Sequence, residues 1–200
     1  MRPIAFACLA CAWLAAGACT RPADRSASGP DTPVSVDKPF VSGGRIDMVL
    51  GGGRYEIVAA PADRIRVTTS GHTGSTKVEV AAAGREASLQ VTDTPHDNFH
   101  ATIEVPKAAD LSVHLAAGEM TIAPIAGNLD VDSTAGNLTI AVADANEYGS
   151  VDGSVKAGDI EAGPFGESKS GLLQHLAWSG TGKRTLKANL GAGKLVLRQP

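Results

Sequence analysis

Few residues in this 200-residue chain have the type and spacing that chemistry needs. His96-Asp97-Asn98-Phe99-His100 sets two imidazoles and a carboxylate within five residues. On a helix, histidines at i and i+4 would face one metal. Here Pro95 and the alternation that follows predict a turn and then a strand, so an exposed turn is the plainer expectation. Asp130 and Asp152 occupy the same place in a motif that recurs every 22 residues. If rungs stack at that period, the two carboxylates face each other across about 4.8 Å, and like charges so placed need water or a cation between them. The candidate metal ligands are therefore Asp130, Asp152, His96 and His100, with a solvated surface as the alternative for each. Calcium takes six or more oxygens, and only two carboxylates line up. His72, His114 and His175 have no clustered partner in the sequence. Ser150 and Ser154 sit in a repeat whose other copies vary, and Gly-x-Ser-x-Gly is absent. Gly43-Gly44 and Gly51-Gly52-Gly53 lack the helix and lysine of a phosphate loop. No catalytic residue and no cofactor is expected.

Cysteine chemistry points to the N-terminus. Cys8, Cys11 and Cys19 are the three cysteines, so nothing beyond residue 19 offers a disulfide, a zinc thiolate or a thiol nucleophile. Arg2 and the apolar run from Ile4 to Ala16 read as an export signal too short to span a bilayer comfortably. The run ends Leu14-Ala15-Ala16-Gly17-Ala18-Cys19, which resembles the lipobox of bacterial lipoproteins. That resemblance implies cleavage after Ala18, a diacylglyceryl group on Cys19, and a Thr20 compatible with delivery to an outer membrane. Ordinary cleavage at Ala16-Gly17-Ala18, leaving a soluble periplasmic or secreted protein, is the alternative. Residues 20–38 are rich in Pro, Ser, Asp and Ala without an apolar period, a composition that reads as a flexible tether. The expected organisation is a signal peptide over 1–18, a lipidated cysteine and tether over 19–38, and one domain over 39–200. A subdivision near Pro106 is possible.

The domain that would position any site is β. From Gly127 to Gly180 a pattern recurs three times, with paired glycines at 127 and 136, 149 and 158, and 171 and 180. Polar and apolar residues alternate after each glycine, the period of a half-buried strand. A second motif, strand, small-small-Gly, strand, occurs at Ile46–Ile57, Leu111–Ile122 and Leu186–Leu197, with corner glycines at 53, 118 and 193. Shorter strands are expected at 45–50, 54–59, 64–69, 76–81, 87–92 and 100–105. Together these predict an all-β fold, a single-chain β-solenoid (β-helix-like) of short strands with glycine corners, preceded by a less regular sheet. The structural glycines are Gly118, Gly127, Gly136, Gly149, Gly158, Gly171, Gly180 and Gly193. Aromatics at 4% suit a slim core of medium aliphatics. A net charge of −3 argues against a nucleic-acid partner, which would want a basic face.

The run Ala101-Thr102-Ile103-Glu104-Val105-Pro106, the following Leu-x-Val-x-Leu-Ala-Ala-Gly-Glu-Met and the repeated Ala-Gly-Asn-Leu and Ala-Gly-Asp-Ile units resemble the putative-adhesin family of bacterial envelope proteins. The resemblance covers about Phe40 to Leu197. It implies an exported β-solenoid and no reaction. The expected function is a non-enzymatic, lipid-anchored envelope protein using its surface for adhesion to a protein or glycan, held to the membrane by its N-terminal lipid. A polysaccharide-acting β-helix enzyme and a periplasmic structural or envelope-stress component are the alternatives.

Overall fold

A computed structural model describes residues 32–200. The expected signal, Cys19 and the first part of the tether lie outside those residues. Eleven strands follow in order: β1 (Ser35–Pro39), β2 (Arg45–Ala60), β3 (Arg64–Gly71), β4 (Lys77–Ala83), β5 (Glu86–Thr92), β6 (Phe99–Pro106), β7 (Asp110–Ile122), β8 (Leu129–Ala141), β9 (Tyr148–Ala162), β10 (Glu167–Ser179) and β11 (Arg184–Arg198). They form one open sheet in the order β1-β3-β6-β2-β7-β8-β11-β9-β10, with β4 and β5 branching from β2.

Alternation makes these strands, and glycine bends them. In β7, Leu111, Val113 and Leu115 face inward, and after the corner Met120 and Ile122 do so. The inward set thus changes parity across Gly118, and the two halves of the strand become arms that bury the same core. The pairs predicted at 45–50 and 54–59 are one such bent strand, β2, folded at Gly53. Gly53, Gly118, Gly136, Gly193 and Gly158 all have φ between +124° and +145°. Side chains rarely adopt that conformation. Space forbids them as well: a Cβ on Gly136 would lie 1.7 Å from the Gly118 carbonyl oxygen, and one on Gly158 1.8 Å from that of Gly193. The five glycines stack into a spine, and the arms ride on it.

Five strands share one parallel register, with Ile46 beside Leu111, Leu111 beside Leu129, Leu129 beside Leu186 and Leu186 beside Val151. The two sequence motifs are therefore one repeat in five copies. The order of the copies corrects the expected coil, in which each turn would stack on the one before. Strand β11, last in the chain, lies between β8 and β9. The 22-residue offset relates β8 to β9 in sequence and not in contact. The third copy also departs from the pattern: β10 runs antiparallel to β9, with Gly171 opposite Gly158. Gly180 follows β10 in the turn to β11, donating its amide to the Gly149 carbonyl. Gly127 and Gly149 sit at the strand entrances, where a Cβ would strike the carbonyls of Ala109 and Gly182.

Two boundaries shift. Ser35–Lys38 belong to β1, which pairs with β3, so this part of the expected tether is strand. Strand β2 pairs with β7 from Arg45 to Ile57, and the sheet runs unbroken past Pro106.

Candidate functional site: the outward polar rows

Because the strands are in register, outward residues form rows across the sheet. The fourth position of each copy gives Val49, His114, Asp132, Asn189 and Ser154 on β2, β7, β8, β11 and β9, with His175 of β10 opposite Ser154. Neighbouring side chains along this row bond to one another. The Ser154 hydroxyl donates to Asn189 Oδ1 at 2.7 Å, and Asn189 Nδ2 donates to Asp132 Oδ1 at 2.8 Å. His114 Nδ1 lies 3.5 Å from Asp132 Oδ2. Each bond spends one function of a group that has more, so free donors and acceptors stay pointed outward in fixed positions.

Small residues open a groove beside the row. Ala116 and Gly191 are the small residues that line it, and a Cβ on Gly191 would lie 2.2 Å from the Thr134 carbonyl oxygen. The resulting groove has a volume of about 460 Å³ and is lined by the polar row, Thr134 and Lys156. Among the described residues Lys156 has no ion pair or hydrogen bond.

The row two residues earlier corrects the picture of stacked acids. Asp130 is beside Lys187, and Lys187 is beside Asp152, so a lysine-bearing strand separates the two carboxylates. Asp152 Oδ2 is 3.2 Å from His175 Nε2, while Asp130 Oδ1 is buried without a hydrogen-bond partner among the described residues. The isolated histidines of the sequence reading are also paired, His72 with Asp97, His114 with Asp132 and His175 with Asp152, at 3.2–3.5 Å. Strand order creates these contacts, and sequence distance hides them. His96 is exposed in the turn before β6 and His100 half-buried on it; both line a second groove, where Arg54 pairs with Glu119 at 2.8 Å. No three His, Cys, Asp or Glu among the described residues are grouped to hold a metal.

Ser154 and His175 are opposite in register, yet the hydroxyl donates to Asn189 and the imidazole faces Asp152. A serine nucleophile needs its base within hydrogen-bond reach. What the row can do is bind, through many weak polar contacts on a rigid backbone. Sequence reasoning missed Asp132 and Asn189 and weighed Ser154 only as a nucleophile, and it missed Lys156. The signal was present: aligning the two repeat motifs on their second glycine brings the first three into one column.

No family model matches the chain, and no curated protein matches it. Solved structures do. A Clostridium sporogenes protein described as a putative cell adhesion protein superposes with a TM-score of 0.50 at 14% identity, covering 84% of this chain and 100% of that one. A putative adhesin from Parabacteroides distasonis gives 0.30 at 13% identity over 84% of this chain and 71% of its own. A putative lipid binding protein from the same species gives 0.27 at 9% identity over 85% and 95%. At such identities the likeness is one of architecture, and the chain shares the all-β fold of the Clostridium protein.

Proposed function

We propose that this protein is an exported, lipid-anchored and non-enzymatic component of a bacterial envelope, whose stacked strands present the outward polar rows to an adhesive partner. The observation that carries the reading is the bonded row Asp132, Asn189 and Ser154, with His114 3.5 Å from Asp132, held on four adjacent strands over a glycine spine. Rigid strands position binding groups more precisely than loops do. The fold shared with a protein described as a putative cell adhesion protein supports it. So does the small-residue run ending at Cys19, the lipid attachment point in this reading. The parallel stack is read as a β-solenoid variant with one turn out of order.

The test uses cells producing the full chain. Labelled palmitate enters the wild type and not Cys19→Ala, and wild-type cells adhere to a host or sibling surface better than cells without the protein. Absence of label, or equal adhesion, contradicts the proposal.

A further inference from the structure

We infer that the groove beside the polar row binds a segment of an acidic glycan, one carrying carboxylates among its hydroxyls. The inference rests on the adhesive reading above and names its ligand class.

The lining selects the chemistry. A protein interface is built around buried aromatic and large apolar anchors. The groove has no aromatic residue, and its exposed large apolar residue is Val49. Its polar members, Ser154, Asn189 and Thr134, carry no charge and both donate and accept. Hydroxyls do the same, so a ligand dense in hydroxyls matches them best. Strands repeat every ~4.8 Å, and a chain lying across them meets one such group per strand. The bonds along the row freeze these side chains before any ligand arrives, which lowers the ordering cost of binding.

Charge decides between neutral and acidic sugars. The charged or titratable side chains facing the groove are His114, Asp132 and Lys156. Asp132 is engaged from both sides, by Asn189 and by His114. Lys156 stands unpaired among the described residues, exposed at the end of the groove on β9. The charge without a bonded partner is thus the positive one of Lys156, at one end of a hydroxyl-matching row, and a carboxylate on the ligand satisfies it. Without an aromatic platform a single groove binds weakly, so many anchored copies on one cell would add avidity.

The experiment titrates the full chain, in mild detergent, with a galacturonic-acid oligomer and with the matching neutral galactose oligomer, by calorimetry at low salt. The acidic oligomer is expected to bind at least tenfold tighter than the neutral one. Lys156→Gln should remove that preference, bringing the two oligomers to similar affinity. Asn189→Ala should weaken both oligomers about tenfold, with Ser154→Ala as a second variant if Asn189→Ala does not fold. Lys107→Gln, an exposed lysine away from the groove, should change nothing. Equal affinity for the two oligomers, no binding of either, or a preference that survives Lys156→Gln overturns the inference. A protein partner that competes for the groove, and loses affinity in Asn189→Ala, overturns it too. Adhesion of whole cells is scored separately: if Lys156→Gln cells adhere like wild type, the glycan assignment fails and the adhesive reading stands, whereas wild-type cells that do not adhere sink that reading itself.

Discussion

The corner and the outer face of the same five strands obey different rules. At the corner every copy carries glycine, and the inward positions of the copies are aliphatic or methionine apart from Tyr55, Ser133 and Gly153. One row away, facing out, the copies carry Val49, His114, Asp132, Asn189 and Ser154, no two alike. Backbone atoms in contact leave no choice at the spine, whereas solvent leaves every choice on the face. Stability is thus concentrated where the repeat is strict, and specificity where it is loose.

The largest expected effect breaks the spine. Gly136→Val puts a branched side chain at φ +124° with its Cβ 1.7 Å from the Gly118 carbonyl. It should cost ~4 kcal/mol or more, enough to unfold a marginal domain. Gly163→Ala, where a Cβ meets nothing within 4 Å, should stay within about 0.5 kcal/mol of wild type in the same denaturant titration. Similar losses for the two variants would remove the distinction between corner and ordinary loop.

Arg184 comes next, because it ties strand entrances together from outside the repeat. It bonds the Glu147 carboxylate and the Ile125 carbonyl, reaches the Tyr148 hydroxyl at 3.2 Å and lies 4.6 Å over that ring, with 15% of its side chain exposed. Arg184→Ala should cost about 2–4 kcal/mol in chemical denaturation, since two or more charge-assisted bonds go at once. A loss below 0.5 kcal/mol would make it an ordinary surface arginine.

Much of this architecture was legible in the residues. Alternation and turn residues located β2 to β6 to within two residues at most ends, and the small-small-Gly motif located the corners. The strand order was not legible, because Leu186–Leu197 fits the register beside β8 as well as any other copy. Which copy neighbours which depends on the connection through β10, and no local pattern encodes that. The site was lost for the same reason: Asp132, Asn189 and Ser154 meet only once β11 enters between β8 and β9. The role of Arg184 was not legible either, since nothing nearby in sequence shows Glu147 or Ile125 beside it.

A smaller effect is expected inside the core. Tyr55 is buried, its hydroxyl has no partner among the described residues, and burial pushes its phenol well above the usual tyrosine range. Tyr55→Phe should be neutral or stabilising by up to about 1 kcal/mol in thermal melts, because it removes an unsatisfied polar group and keeps the ring against Phe99. A clear loss would reveal a partner for the hydroxyl. Smallest of all is Asp152→Asn on the outer face. It loosens an exposed contact with His175, and a change of a few tenths of a kcal/mol is expected, the same with and without millimolar calcium. A melting temperature that rises several degrees with calcium in the wild type alone would make that row a metal site.

The most direct test of the account is the order β8-β11-β9, since the polar row exists only if it holds. No cysteine follows Cys19, so introduced pairs report cleanly. Adjacent strands lie ~4.8 Å apart, within the Cα separation that a disulfide spans, and strands two apart do not. Ser154→Cys with Asn189→Cys should cross-link fully under mild oxidation, and peptide mapping by mass spectrometry should place the bond. Asp132→Cys with Ser154→Cys should stay reduced. Cross-linking of the second pair and not the first would mean that the strands stack in chain order, and the row, the groove and the functions built on them would fall together.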